Sequence, residues 1–139
     1  MNASLFVDTS GWLAYFVERD QYHAQAVRVW RQLAETRVRL VTSDYVLDEL
    51  LTLLARRVGP PAAVTAGQVL LTSALVHVVY VAPEYFLESW ELFKRSDYPQ
   101  ASFTDTASFV IMRRLSLREV FGFDTDFRQA GFALLPHHA

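Results

Sequence analysis

The chain has 139 residues, enough for one compact domain and too few for a second core. At 52% hydrophobic and 14% aromatic against 20% charged, it can bury a large interior and does not read as disordered. The net charge of -2, from 13 Lys+Arg and 15 Asp+Glu, offers no general basic surface to a polyanion, and the absence of cysteine excludes disulfides, thiolate metal sites and cysteine nucleophiles.

Residues 4–7, SLFV, form a short apolar run of strand type ending at Asp8, and Thr9 and Ser10 offer capping oxygens for a helix near 10–18. Over 22–35, Val27, Trp30 and Leu33 with polar residues between them predict an amphipathic helix. RVRLV at 37–41 alternates as a strand; Thr42 or Ser43 can cap the next helix, from Asp44 to about Val58, which Gly59-Pro60-Pro61 stops. A helix over 61–74, a β-branched strand over 75–81 and a helix opening at Pro83 come next. Residues 102–115, apolar on nearly every side, read as a helix packed among neighbours. EVFGF at 119–123 is strand-like, 126–131 a short turn, and 132–135 a closing strand. Strands alternating with helices argue for an α/β fold with a mainly parallel sheet of four to five strands, in one domain spanning 1–139. No apolar leader opens the chain and no later stretch stays uncharged for the ~18 residues of a membrane span, so a soluble, cytoplasmic protein is expected.

In open parallel sheets, ligands bind beyond the carboxyl ends of the strands. Asp8 follows the first strand, and Asp124 with Asp126 follows the fourth. If the chain is still extended there, Asp124 and Asp126 share a face and crowd their charges. On the helix from Asp44, Val46, Leu50, Leu53 and Leu54 share one face, with Asp48 and Ala55 opposite and Glu49 at the margin of the buried stripe. An ionised carboxylate there is expensive unless compensated. The simple alternative has Glu49 leaning outward to Arg56 or solvent. Asp105 sits in Ser102-Phe103-Thr104-Asp105, the spacing of a capping box, which accounts for it structurally without excluding a second role. Singly, Asp8 reads as a helix cap and Asp124 and Asp126 as turn residues. Together, these acids would converge at one sheet edge. Two carboxylates about 4 Å apart repel by roughly 4 kcal/mol at an effective dielectric near 20, so such a cluster needs a cation. Hard oxygen ligands without His or Cys select Mg²⁺ or Mn²⁺.

LFVDTSGWLAYF, LVTSDYVLDELLTLL, SFTDTASFVIM and GFDTDFRQAGFALLP, in that order and spacing, resemble the PIN domain, and within it the VapC-type ribonuclease toxins of bacterial toxin–antitoxin pairs. The resemblance spans essentially the whole chain. It implies a PIN-like three-layer sandwich and an endonuclease acting on single-stranded or looped RNA through a metal-activated water. It also implies an acidic quartet of Asp8, Glu49, Asp105 and Asp124 binding Mg²⁺ or Mn²⁺, with Asp126 a further acid near the ion. Thr9, Ser10 and Thr104 would orient ligands or waters. Toxins of this kind are dimeric and are silenced by an antitoxin whose C-terminal segment fills the acidic groove.

Arg56, Arg57, Arg113, Arg114 and Arg118 are candidates for phosphate contacts, although each also reads as a solvated charge. Trp12, Trp30 and Trp90 read as core or dimer-interface residues, and His137-His138 as a chain end. A haloacid-dehalogenase phosphatase also uses Asp-x-Asp, but after its first strand, where this chain has Asp8-Thr9-Ser10. A receiver domain wants a late lysine, and the only lysine is Lys94. A PIN-like domain that binds RNA or protein without cleaving, and a solitary RNA-processing nuclease, stay open as alternatives.

Overall fold

A computed structural model describes residues 4–136, so His137 and His138 fall outside the described residues. Five strands form one wholly parallel sheet in the order β3-β2-β1-β4-β5. These are β1 (Ser4–Val7), β2 (Arg39–Ser43), β3 (Val76–Val79), β4 (Glu119–Phe121) and β5 (Ala133–Leu135). Helices connect them: α1 (Thr9–Phe16), α2 (His23–Thr36), α3 (Asp44–Arg57), α4 (Pro60–Thr72), α5 (Pro83–Arg95), α6 (Phe103–Arg114) and α7 (Asp126–Gln129). The chain starts in the middle of the sheet and builds outward through β2 and β3. It then returns to the other side of β1 to lay down β4 and β5. The direction of winding therefore reverses between β1 and β4, which is where such a sheet opens a crevice at its carboxyl edge.

β1 is covered on both faces: Phe6 and Val7 are fully buried, as continuous apolar strands in parallel sheets are. α6 runs through the interior, with every residue from Thr106 to Met112 buried, in accord with its lack of a polar face. Trp12 is fully buried and fastens three elements. Its indole N–H donates to Thr42 Oγ1 (3.2 Å), which donates to the Val7 carbonyl (3.0 Å). Truncating such a side chain to alanine costs about 3–5 kcal/mol.

The sequence places the elements in order but misses several boundaries. α1 begins at Thr9, and its cap is Asp8, as that residue reads when taken singly, and not Thr9 or Ser10, because the Asp8 carboxylate reaches the Gly11 amide. β2 starts two residues later than expected, since Arg37 turns left-handed (φ 52°) to end α2 and Arg37-Val38 are spent on the turn. On α2 the buried residues are Ala26 and Val29, with Val27, Trp30 and Leu33 half-buried. On α3 Leu47, not Leu53, joins Val46, Leu50 and Leu54 in the buried stripe, while Asp48 is exposed as expected. β4 ends at Phe121, so 124–126 is not extended: Asp124 Oδ1 accepts from the Asp126 amide (2.9 Å) in a turn leading into α7.

Candidate active site

Asp8 stands where β1 gives way to α1. Its amide donates to the Phe121 carbonyl (3.3 Å), tying the ends of β1 and β4 together. Its Oδ1 accepts from the Gly11 amide (3.1 Å) and the Ser10 hydroxyl (2.8 Å), and the same hydroxyl accepts from the Phe123 amide (2.8 Å). Ser10 thus bridges the carboxylate to the loop after β4. Two glycines permit this approach. A Cβ on Gly11 would collide with the Phe121 carbonyl, and one on Gly122 with Asp8 Oδ1. Sequence reasoning missed Gly122; the available signal was a glycine at a strand end two residues ahead of an acid.

Asp105 enters from α6 at the third helical position. Ser102 Oγ accepts from the Asp105 amide (3.0 Å) and Asp105 Oδ2 accepts from the Ser102 amide (3.1 Å), a complete capping box. Asp124 enters from the turn after β4. Each of Asp8, Asp105 and Asp124 thus has one carboxylate oxygen held by a backbone amide, from Gly11, Ser102 and Asp126 respectively. The second oxygens of Asp8 and Asp105 have no protein donor among the described residues.

Carboxylate oxygens of Asp8, Asp105 and Asp124 all lie within 4.8 Å of one another. Glu49, half-buried on α3, lies outside this set but acts on Asp105 through its charge. Asp126, buried at the start of α7, is also outside the set and abuts Asp124. Among the described residues Glu49 forms no ion pair with Arg56. Thr9 is buried at the first position of α1, and its hydroxyl has no protein partner among the described residues. Thr104 stands half-buried beside Asp105, its carbonyl accepting from Ser108 Oγ (2.9 Å).

The electrostatics show the strain of this convergence. Burial pushes the Asp8 carboxyl up to about 7 from 3.8, with the Asp105 and Asp124 charges adding to it and the bonds from Ser10 and Gly11 opposing it. Burial likewise lifts Asp105 to about 7, helped by Asp124 and Glu49 and opposed by the Ser102 bonds. Asp126 is raised by desolvation and then by Asp124. Two full charges at 4.8 Å repel by roughly 3.5 kcal/mol at an effective dielectric of about 20. Ionising all three acids together therefore calls for a compensating cation. An all-oxygen donor set held by short backbone bonds fits a hard divalent ion.

Of the arginines, Arg113 is committed to Tyr98 Oη (3.2 Å) and the Ala130 carbonyl (3.3 Å), and Arg114 to Glu88 (2.7 Å). Arg56, Arg57 and Arg118 are exposed. Trp12 is core, as expected.

Residues 5–133 match the sequence profile of the PIN domain. The chain belongs to the PIN-domain family. This PIN domain is 40% identical over 128 residues, 92% of its length and 95% of the relative's, to the 23S rRNA-specific endonuclease VapC20 of Mycobacterium tuberculosis. It is 28% identical over 114 residues (81% and 72%) to a VapC ribonuclease of Archaeoglobus fulgidus. The crystal structure of the M. tuberculosis VapC20, described as a sarcin-ricin loop cleaving toxin, superposes with a TM-score of 0.85 at 39% identity, covering 94% of this chain and 97% of that one. VapBC2 from Rickettsia felis, bound to a promoter DNA fragment, shares the fold at a TM-score of 0.68 and 10% identity, covering 94% and 96%. The family and the VapC kinship agree with the order of the four sequence stretches that resemble it. Among the described residues, no helix is long and apolar enough to cross a membrane.

Proposed function

We propose that this PIN domain is an endoribonuclease, the toxin of a toxin–antitoxin pair, and that it hydrolyses RNA phosphodiesters with Mg²⁺ or Mn²⁺ held by Asp8, Asp105 and Asp124. The observation that carries this is the approach of three carboxylates to within 4.8 Å at the carboxyl edge of a PIN fold. Glu49 and Asp126 flank the three and complete the acidic set. When bound, the ion supplies Lewis acidity: it makes a coordinated water easier to deprotonate and offsets negative charge growing on the phosphate oxygens.

The chain's own residues do the rest. Backbone amides of Gly11, Ser102 and Asp126 fix one oxygen of each acid, so the site is built before metal or substrate arrives. Ser10 holds Asp8 against the β4 loop, so that the acids from β1 and β4 move as one body. Burial of Asp8 keeps bulk water from the inner wall, where the buried Thr9 hydroxyl has no protein partner among the described residues. Above pH 7 Asp8 and Asp105 reach the ionised form that metal binding requires.

Kinship with the 23S rRNA-specific enzyme makes that RNA the first substrate to test. In this reading the protein acts in the cytoplasm, where ribosomal RNA is found. In the decisive assay, purified protein is incubated with 23S rRNA and with short stem-loop RNAs, with Mg²⁺, with Mn²⁺ and with EDTA. Discrete cleavage that EDTA and Asp124→Asn both abolish is expected. RNA binding without cleavage under any metal would instead assign a non-catalytic binding domain.

A further inference from the structure

The turn between α1 and α2 sets an aromatic side chain beside the acidic site where helix chemistry has no need of one. Tyr22 occupies the N-cap of α2, a position served by Ser, Thr, Asp or Asn, and its side chain makes no capping bond. Its backbone is nevertheless fixed. The Tyr22 amide donates to Asp20 Oδ1 (2.8 Å), and Nδ1 of the next residue, His23, donates to the Ala14 carbonyl (2.8 Å). Among the described residues the Tyr22 hydroxyl takes no hydrogen bond, and the residue stays half-buried.

The ring of Tyr22 lies against Phe123. Their planes are 5° from parallel with centroids 4.3 Å apart, whereas interior pairs such as Phe109–Phe127 and Tyr98–Phe109 meet edge-on. Phe123 is in turn bound into the site. It directly precedes Asp124, and its amide donates to the Ser10 hydroxyl (2.8 Å), which donates to Asp8 Oδ1 (2.8 Å). A parallel stack of flat rings is the geometry that a nucleobase extends, because every base has a π-face. Centroids at 4.3 Å leave no room for a base between the two rings, so a base adds on the outer side of Tyr22. A neutral base needs no cation of its own there: exposed Glu18 and Arg19 in the same turn offset each other, and the phosphate charge is met at the acidic site.

We propose that Tyr22, backed by Phe123, is a stacking platform for one base of the RNA, at a nucleotide next to the phosphate held over Asp8, Asp105 and Asp124. The inference rests on the ribonuclease reading and adds to it the residue that places the strand. With its base on Tyr22, a nucleotide is anchored to the same rigid loop that carries Asp124, which brings the neighbouring phosphate over the acids. That base must leave the stack of its own strand, as bases in loops do.

The test reads binding in EDTA, where the RNA stays intact. A fluorescent stem-loop of 23S rRNA sequence, with an abasic site at each loop position in turn, is titrated by anisotropy with wild type, Tyr22→Phe, Tyr22→Leu and Tyr22→Met. Tyr22→Phe should bind as wild type does. Tyr22→Leu and Tyr22→Met keep apolar cover on Phe123 without a π-face and should weaken binding roughly 5- to 150-fold, the range for losing one base stack. One abasic position should cost the wild type a similar factor and cost these two variants nothing further. 2-Aminopurine at that position should be quenched by wild type and Tyr22→Phe but not by Tyr22→Leu or Tyr22→Met. Circular dichroism melts show which variants are folded, and two aliphatic variants guard against one that is not. A purely structural Tyr22 would weaken binding to every abasic RNA equally; that result, or aliphatic variants that bind as wild type does, would overturn the proposal. Metal-dependent cleavage by a wild type whose abasic profile is flat would sink this inference and leave the nuclease reading standing. A base stacked on Tyr22 with no cleavage under any metal would do the reverse.

Discussion

Replacing Asp8 by asparagine separates a carboxylate kept for a metal from one kept for the fold. Asp8 is 3% exposed and its carboxyl titrates near 7 instead of 3.8. Between those values the folded protein holds a proton that the unfolded chain has lost, so this group's contribution to stability declines as pH rises from about 4 to about 7. The shift of about three units corresponds to roughly 4 kcal/mol of penalty for ionised Asp8 in the metal-free protein at pH 8. Asparagine keeps the Oδ1 that accepts from Gly11 and Ser10 and removes the charge. Structural relaxation recovers part of the penalty, so Asp8→Asn should be more stable than wild type by about 2–4 kcal/mol in EDTA at pH 8, or about 6–12 °C in melting temperature. At pH 5, where wild-type Asp8 is protonated, the gain should nearly vanish. Adding Mn²⁺ at pH 8 should raise the wild-type melting temperature and leave the variant unmoved. Thermal melts by circular dichroism across this pH and metal grid provide the readout. A variant less stable than wild type in EDTA at pH 8, or equally stabilised by Mn²⁺, would refute the reasoning.

Because Asp8 and Asp105 both titrate near 7, Mn²⁺ affinity measured by isothermal titration should weaken up to about tenfold per pH unit per displaced proton below 7 and level off above it, with heats that vary with buffer ionisation. Ser10→Ala removes the hydroxyl joining Asp8 to the Phe123 amide and should cost about 1–2 kcal/mol in denaturant melts while lowering cleavage more than RNA binding. Ser102→Ala breaks the capping box that holds Asp105. It should cost about 0.5–2 kcal/mol by the same melts and weaken Mn²⁺ binding, whereas a change in stability alone would place Asp105 outside the metal site.

The sequence carried most of this architecture, for identifiable reasons. Strand-helix alternation with Gly59-Pro60-Pro61 and Pro83 as punctuation reports backbone chemistry directly, and the structure follows it. The capping box at Ser102 was equally legible, since both partners lie three residues apart. What escaped depends on approach between distant segments. Nothing near Gly122 announces that the Asp8 carboxylate will press against it, and the bridge from Ser10 to Phe123 spans 113 residues. The expectation of an extended Asp124-Thr125-Asp126 failed because a side chain competing for a backbone amide is worth more there than one more strand residue. Glu49 was legible as a misplaced charge at the edge of a buried stripe, and it lies near Asp105 rather than among the three closest acids.

The central claim is that Asp8, Asp105 and Asp124 meet in order to hold one hard cation. Anomalous diffraction from crystals grown with Mn²⁺ tests it most directly. The account predicts a single strong peak with a carboxylate oxygen of each of the three acids as ligand. A peak bound elsewhere, or none at saturating Mn²⁺ with the three carboxylates unchanged, would contradict it.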